Sequence, residues 1–415
     1  MTRRRFLIAA GAGGLGLLAL RFGIPRLLRP GPARPLSGEA EALARSCFAG
    51  IDRSRMWDAH VHVIGLGTGE TGCWFNPEAQ SRLHPIKKLQ YDLLRSSIGM
   101  TRPEHADADY VERLFALHRL ANPAGKLVLM AFDYHVDENG VEVPELSPFY
   151  TPNEYVLRLA SENEDALACA SIHPYRKDAV SRLEAVYEAG ARAIKWLPNS
   201  MGIDPASERC EPFYRRLAEM GLPLLTHGGE EYAVGFDLDQ EYGNPLRLRR
   251  ALDAGVKVIV AHCASFGTAV DLDASEVERA EMDAFDLFLR LLDEKQYEKT
   301  LFADISTLNQ INRSGRPLRE MLKATRYHHR LVNGSDYPLP TVKALFSTSK
   351  LRYSGYLTGE ESRLCGEIHD ANPLLFDFVV KRSLKVEEQG KVYRFAPHVF
   401  ETASLFEPSI PAAAV

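Results

Sequence analysis

Two histidines two residues apart open the chemistry of this chain: Trp57-Asp58-Ala59-His60-Val61-His62 ends a short apolar run. On an extended strand, residues i and i+2 share a face, so both imidazoles point the same way. Three later apolar runs also end on residues able to hold a cation. Leu222–His227 closes on His227 before Gly228-Gly229, Val256–Ala264 carries His262, and Leu331–Asp336 closes on Asp336 in Asn333-Gly334-Ser335-Asp336. Neutral imidazoles and a carboxylate suit zinc, with iron or manganese also acceptable. One histidine at a strand end is more often a hydrogen-bonded residue than a ligand. Five such residues on four strand ends favour the ligand reading.

What must position them is a set of alternating elements. Strands are expected at Met56–Val63, Lys126–Asp133, Leu167–His173, Ala191–Leu197, Leu222–His227, Val256–Ala264, Leu301–Thr307 and Leu331–Asp336. These are near-continuous apolar runs, as parallel strands covered on both faces require. Helical periodicity falls between them, at Glu154–Glu162, Asp178–Ala189, Pro212–Met220, Pro245–Ala254 and Ser275–Leu292. Gly190, Gly221 and Gly255 each stand where a helix gives way to the next apolar run, as a left-handed C′ residue would. Eight β-then-α units predict a (β/α)8 TIM barrel, an α/β fold with an open doubly wound sheet as the alternative. In a closed barrel the C-terminal strand ends ring one mouth, which makes His60 and Asp336 neighbours. A long insertion after strand 1, from Ile64 to Gly125, carries a helix of its own over about Glu104–Leu120. Residues 265–300 form a second long excursion. The tail beyond Leu384 is expected to pack on the outside.

The order D-A-H-V-H at 58–62, A-I-K-W-L-P at 193–198, T-H-G-G at 226–229, V-A-H-C at 260–263, A-D-I-S at 303–306 and N-G-S-D at 333–336 resembles the amidohydrolase superfamily of metal-dependent hydrolases, in its amidohydrolase-2 branch. The resemblance covers roughly residues 55 to 380. It implies that His60, His62 and His227 bind a divalent metal with Asp336 as the last ligand. His262 would hold a second ion in two-metal members, or polarise substrate or attacking water in one-metal members. Lys195 would be a carbamate bridge between two ions, or a free amine serving the substrate. A buried lysine loses proton affinity, which suits either role. The resemblance further implies hydrolysis of a C–N or C–O bond in a small molecule, with Asp336 taking the proton of the attacking water. A decarboxylase or hydratase using the same ion is the alternative, and a non-catalytic scaffold would be marked by lost ligands. His173 and Asp304 lie near enough to the mouth to orient substrate or to support other residues. Arg176, beyond the His173-Pro174 turn, reads as a solvated arginine, with binding of a carboxylate as the alternative.

The remaining sequence bounds these readings. With 415 residues, 45% hydrophobic and 25% charged, the chain is an ordinary globular one. Its net charge of −5 conceals seven arginines that precede the first acid, Glu39, so the body is strongly acidic and a poor partner for nucleic acid. Met1–Arg5 is basic and Phe6–Leu20 uncharged, too short to span a bilayer. The run Thr2-Arg3-Arg4-Arg5-Phe6-Leu7 resembles a twin-arginine export motif, so residues 1–40 are read as export signal and linker. Residues 41–415 then form a single hydrolase domain, expected in the periplasm or tethered to the membrane if the signal is uncleaved. Six scattered cysteines show no metal or disulfide spacing. His84, His105, His118, His328, His329, His369 and His398 are expected to be solvated. The substrate and the oligomeric state are left open.

Overall fold

The computed structural model describes residues 35–100, 102–234 and 239–407. The segment read as an export signal therefore lies, up to residue 34, outside the described residues. Eight strands form one parallel sheet: β1 (Asp58–His62), β2 (Leu127–Met130), β3 (Ala166–Ala170), β4 (Ala191–Trp196), β5 (Leu224–Thr226), β6 (Val258–Val260), β7 (Leu301–Asp304) and β8 (Leu331–Val332). Each lies beside the next in chain order. Closure follows from three bonds between β1 and the segment after β8. Ala59 N donates to Asn333 O (3.0 Å), Asp336 N to His60 O (2.8 Å) and His62 N to Tyr337 O (2.9 Å). The fold is the expected (β/α)8 TIM barrel.

Each strand is buried on both faces, which is why it reads as an apolar run instead of an alternation. One set of side chains, including Ala59, Met130, Ala193, Leu225, Ile259 and Val332, fills the barrel interior. The other set, including Trp196, Leu224, Val258 and Leu301, packs under the helices. Gly190, Gly221 and Gly255 all have positive φ, as their position after helices requires.

The excursions differ from expectation in instructive ways. The insertion after β1 holds the helix Ala106–Ala121 and a second, unforeseen one at Pro85–Ser97. Asp107 ties it down by accepting from Leu66 N, Gly67 N, Thr68 Oγ1 and Thr71 Oγ1. The expected helix Ser275–Leu292 is instead a hairpin of Thr268–Val270 with Glu281–Asp283, followed by the helix Ala284–Asp293. Only from Phe285 onward does an apolar face exist to bury; Phe285, Leu287, Phe288, Leu291 and Leu292 provide it.

The tail is a further correction. Phe395, Val399 and Phe400 do pack into the outer layer, but Ala403 and Phe406 join Trp57 and the interior side chains. An open barrel floor would leave those interior residues in contact with water, and the tail covers it. Among the described residues no helix is long and apolar enough to cross a membrane. All six cysteines are buried and free.

Candidate metal centre and active site

Strand β1 delivers His60 and His62, and the turn after β8 delivers Asp336. His60 Nε2 lies 3.1 Å from His62 Nε2 and 3.4 Å from Asp336 Oδ1, while His62 Nε2 lies 3.2 Å from the same oxygen. Donor atoms on a tetrahedral ion with bonds of 2.0–2.1 Å stand roughly 3.4 Å apart, so the triad has the right span. Lys195, from β4, is 1% exposed and brings Nζ to 3.2 Å from His60 Nε2.

The hydrogen-bond network fixes which lone pairs face inward. His60 Nδ1 is 2.7 Å from Asp304 Oδ2. That carboxylate therefore takes the ring proton, and Nε2 presents its lone pair to the triad. Burial, reinforced by the neighbouring Lys195 charge, pushes the His60 pKa well below its usual value, so the ring is neutral. Burial alone would raise the Asp336 pKa, but His60, His62 and Lys195 outweigh it and keep the group a carboxylate. The His60 Nε2 lone pair and the Asp336 carboxylate thus converge with His62 Nε2 on one point, where only His62 and Lys195 have protons to offer. A divalent cation satisfies all three at once. The residues present fit a metal.

His262 completes the far wall. Its Nδ1 is 2.7 Å from Ser306 Oγ and 3.1 Å from Thr307 Oγ1. Ser306 Oγ donates to Asp304 Oδ1, so it accepts from His262 and leaves the His262 Nε2 lone pair facing Asp336 Oδ2 at 3.7 Å. Residues 262–264 have φ of 56°, 54° and 47°, and Asp336 has φ of 58°. Left-handed backbone at non-glycine residues costs on the order of 1 kcal/mol or more each and persists only where the surroundings impose it. Here His262 N donates to Asp304 Oδ1 (2.9 Å), which helps hold the turn.

Asp304 is thus spent. One oxygen serves His60; the other accepts from His262 N, Ser306 N and Ser306 Oγ. Of the two roles open to it, the geometry gives it support of the site. A second group of potential ligands, His60, His262 and Asp304, exists by proximity. Its carboxylate already accepts from four donors, which an ion there would have to displace.

His227 stands one ring further out. Its ring is edge-on to His262 at 5.4 Å, and its nitrogens face Glu230 O (3.4 Å) and Glu231 Oε2 (3.5 Å). Burial, followed by the charges of Arg313 and Lys195, lowers its pKa to about 3. The structure therefore places His227 at the mouth but not among the converging donors. His173 is not brought into the site. Its Nε2 is 2.8 Å from Met201 O and its Nδ1 accepts from Tyr175 N (3.2 Å), which leaves neither ring nitrogen for a substrate. Arg176 is a correction: it is half-buried, with its side chain bidentate to Asp133 through Nη2 (2.6 Å) and Nε (2.9 Å). His118, His328 and His369 are also corrected, since all three are buried and bonded to backbone carbonyls.

Sequence reasoning missed Ser306, Thr307, Glu231 and Arg313. The first two close the expected strand Leu301–Thr307, where the hydroxyl pair ending A-D-I-S-T was a usable signal. Nothing in the sequence around Glu231 or Arg313 marks them.

A family model described as amidohydrolase matches residues 57–354. No curated protein matches the chain. Among solved structures it is similar to a TIM-barrel protein of Bordetella bronchiseptica, at 14% identity and a TM-score of 0.46, over 75% of this chain and 99% of that one. It is similar to 5-carboxyvanillate decarboxylase of Sphingomonas paucimobilis, at 11% identity and a TM-score of 0.41, over 77% and 98%. It is also similar to 4-oxalomesaconate hydratase of Rhodopseudomonas palustris, at 14% identity and a TM-score of 0.41, over 77% and 95%.

Proposed function

The chain belongs to the amidohydrolase family, and from that premise we propose that it is a hydrolase that cleaves a C–N or C–O bond of a small molecule with one divalent ion, zinc. The bond would be that of an amide, cyclic amide, lactone or ester. The observation that carries this reading is the convergence of His60 Nε2, His62 Nε2 and Asp336 Oδ1 on one point. An ion held there supplies a Lewis acid and, at neutral pH, an activated water.

The chain's own residues divide the remaining work. Asp304 keeps the proton of His60 on Nδ1 and so keeps Nε2 available as a ligand. Asp336 turns Oδ1 toward the histidine pair and leaves Oδ2 facing His262. Oδ2 takes the proton of the attacking water. His262 Nε2, across from it, receives that proton and returns it to the departing nitrogen or oxygen. Lys195 points its amine at the same space from a dry wall, where its N–H groups stabilise negative charge forming on the carbonyl oxygen.

The test is a panel of amides, cyclic amides, lactones and esters offered to the zinc-loaded protein in ¹⁸O-labelled water. Label in the product acid is expected, activity is expected to vanish with chelation, and zinc is expected to restore it. Release of carbon dioxide from an acid substrate without label uptake would replace this reading with a lyase. Export in the folded state is also proposed, on the support of Arg3-Arg4-Arg5-Phe6-Leu7. Fractionation of cells expressing the wild type and an Arg4→Lys/Arg5→Lys variant tests it; equal periplasmic yield would refute it.

A further inference from the structure

The loop after β7 holds a charge that no described residue pairs with at ion-pair distance. Arg313 is 7% exposed, yet the one hydrogen bond of its guanidinium among the described residues runs from Nη1 to Ser265 Oγ (3.1 Å). Its Nε has no partner among them. No carboxylate among the described residues comes within ion-pair distance of it. Glu231, the acid that acts on it most strongly, is engaged by Ala233 N and His227 instead. A buried guanidinium without a counter-ion is costly and is seldom kept without a use.

Its setting says what that use is. Ser265 anchors it from the loop after β6, and its guanidinium carbon lies 5.5 Å from the centre of the Phe266 ring. Ser265 N in turn donates to His262 O (3.0 Å), which ties the arginine's anchor to the turn that carries His262. Arg313 therefore stands at the same mouth as the triad, on the His262 side. With Nη1 tied to Ser265, the Nε–Nη2 edge remains, which is a side of the fork that pairs bidentately with a carboxylate.

We propose that Arg313 is the substrate's anion anchor, binding a carboxylate of the small molecule while the scissile carbonyl lies toward His60, His62 and Asp336. This deepens the hydrolase reading and rests on it: the substrate is an acid carrying its hydrolysable bond a short distance from a free carboxylate. Such an anchor fixes the orientation of the reacting carbonyl and discriminates against neutral analogues, because these leave the guanidinium unpaired.

Calorimetric titration with malonate, succinate and glutarate tests the proposal, with dimethyl glutarate as the uncharged counterpart. The proteins are the zinc-loaded wild type, Arg313→Gln, Arg313→Lys and Ser265→Ala. At least one dicarboxylate is expected to bind the wild type and the ester is not. Arg313→Gln should weaken the acid about tenfold or more with zinc content unchanged. Arg313→Lys should retain part of the affinity, and Ser265→Ala should lose less than Arg313→Gln. Equal affinity of wild type and Arg313→Gln for the acids overturns the proposal, as does equal binding of acid and ester or no binding of any dicarboxylate. If Arg313→Gln does not fold, the acid–ester pair on the wild type and the Arg313→Lys variant decide. Zinc content is read separately. Arg313-dependent acid binding without retained zinc would sink the metal-hydrolase reading and spare the anchor; the opposite pattern would do the reverse.

Discussion

Two buried charged clusters share the short segment from Asn333 to Asp336, and they are built on opposite principles. On one side lie His60, His62, Lys195 and Asp336, with lone pairs crowded onto one point. On the other, Lys381 Nζ donates to Asp377 Oδ2 (2.6 Å) and Gly334 O (2.7 Å), while Asp58 Oδ1 accepts from Ser335 N (2.7 Å). The second cluster gives Lys381 a third acceptor in Asn333 Oδ1 (3.4 Å), leaves Asp377 Oδ1 over among the described residues, and holds the segment in place. The first is incomplete without a cation. Buried polar groups that satisfy one another serve the fold, whereas those left in conflict mark the place where something else binds.

Substitutions can break this contrast. Asp336→Asn should lower turnover by about 10³-fold or more while the metal-free protein unfolds at the same or a higher denaturant concentration. Undiminished activity would refute the proton role, and a large loss of stability would erase the distinction between the clusters. Lys381→Met should do the opposite and cost about 3 kcal/mol or more in urea unfolding, because Asp377 is left buried without its partner. The double variant Lys381→Met/Asp377→Leu should recover most of that loss; if it recovers none, the pair is not what stabilises the segment.

Smaller effects sharpen the comparison. Asp304→Asn frees the proton on His60 Nδ1 to move, and should weaken zinc binding roughly 10–100-fold in chelator competition without unfolding the chain. Unchanged zinc affinity would remove Asp304 from the site. The slightest effect is a slope. Burial raises the Asp377 pKa to about 7, only partly offset by Lys381. Up to about pH 7 the folded chain holds a proton that the unfolded chain has already released near pH 4, so between pH 6 and 8, as that last proton leaves, stability falls with rising pH and then levels. The fall should be on the order of 1 kcal/mol, and Asp377→Asn should flatten it. An unchanged slope in that variant would place the titration elsewhere.

Much of this arrangement was legible in the residues. A two-residue spacing on an apolar run is enough to put His60 and His62 on one face, and apolar runs in alternation with helical patterns are enough to close a barrel. What local pattern does not contain is the partner of each side chain. His173 stands at a strand end as His227 and His262 do, yet its ring is committed to Met201 O and Tyr175 N. Asp304 could be assigned either of two roles until its four donors were seen. Arg176 read as solvated because Asp133 is 43 positions away in the chain. Burial of His118 and His369 depends on the packing of the helices Ala106–Ala121 and Gly359–Ala371, the second of which was not anticipated. The floor-closing role of Ala403 and Phe406 arises from a need of the whole barrel, which no short window of sequence expresses.

The seam between β1 and the segment after β8 couples two events that are separate in most enzymes. Asp336 N and His62 N, which close the cylinder, belong to residues proposed to hold the cation. Loading the ion should therefore work as a clasp on the whole fold, and slowed deuterium uptake at those two amides, relative to the other strand junctions, would register it directly.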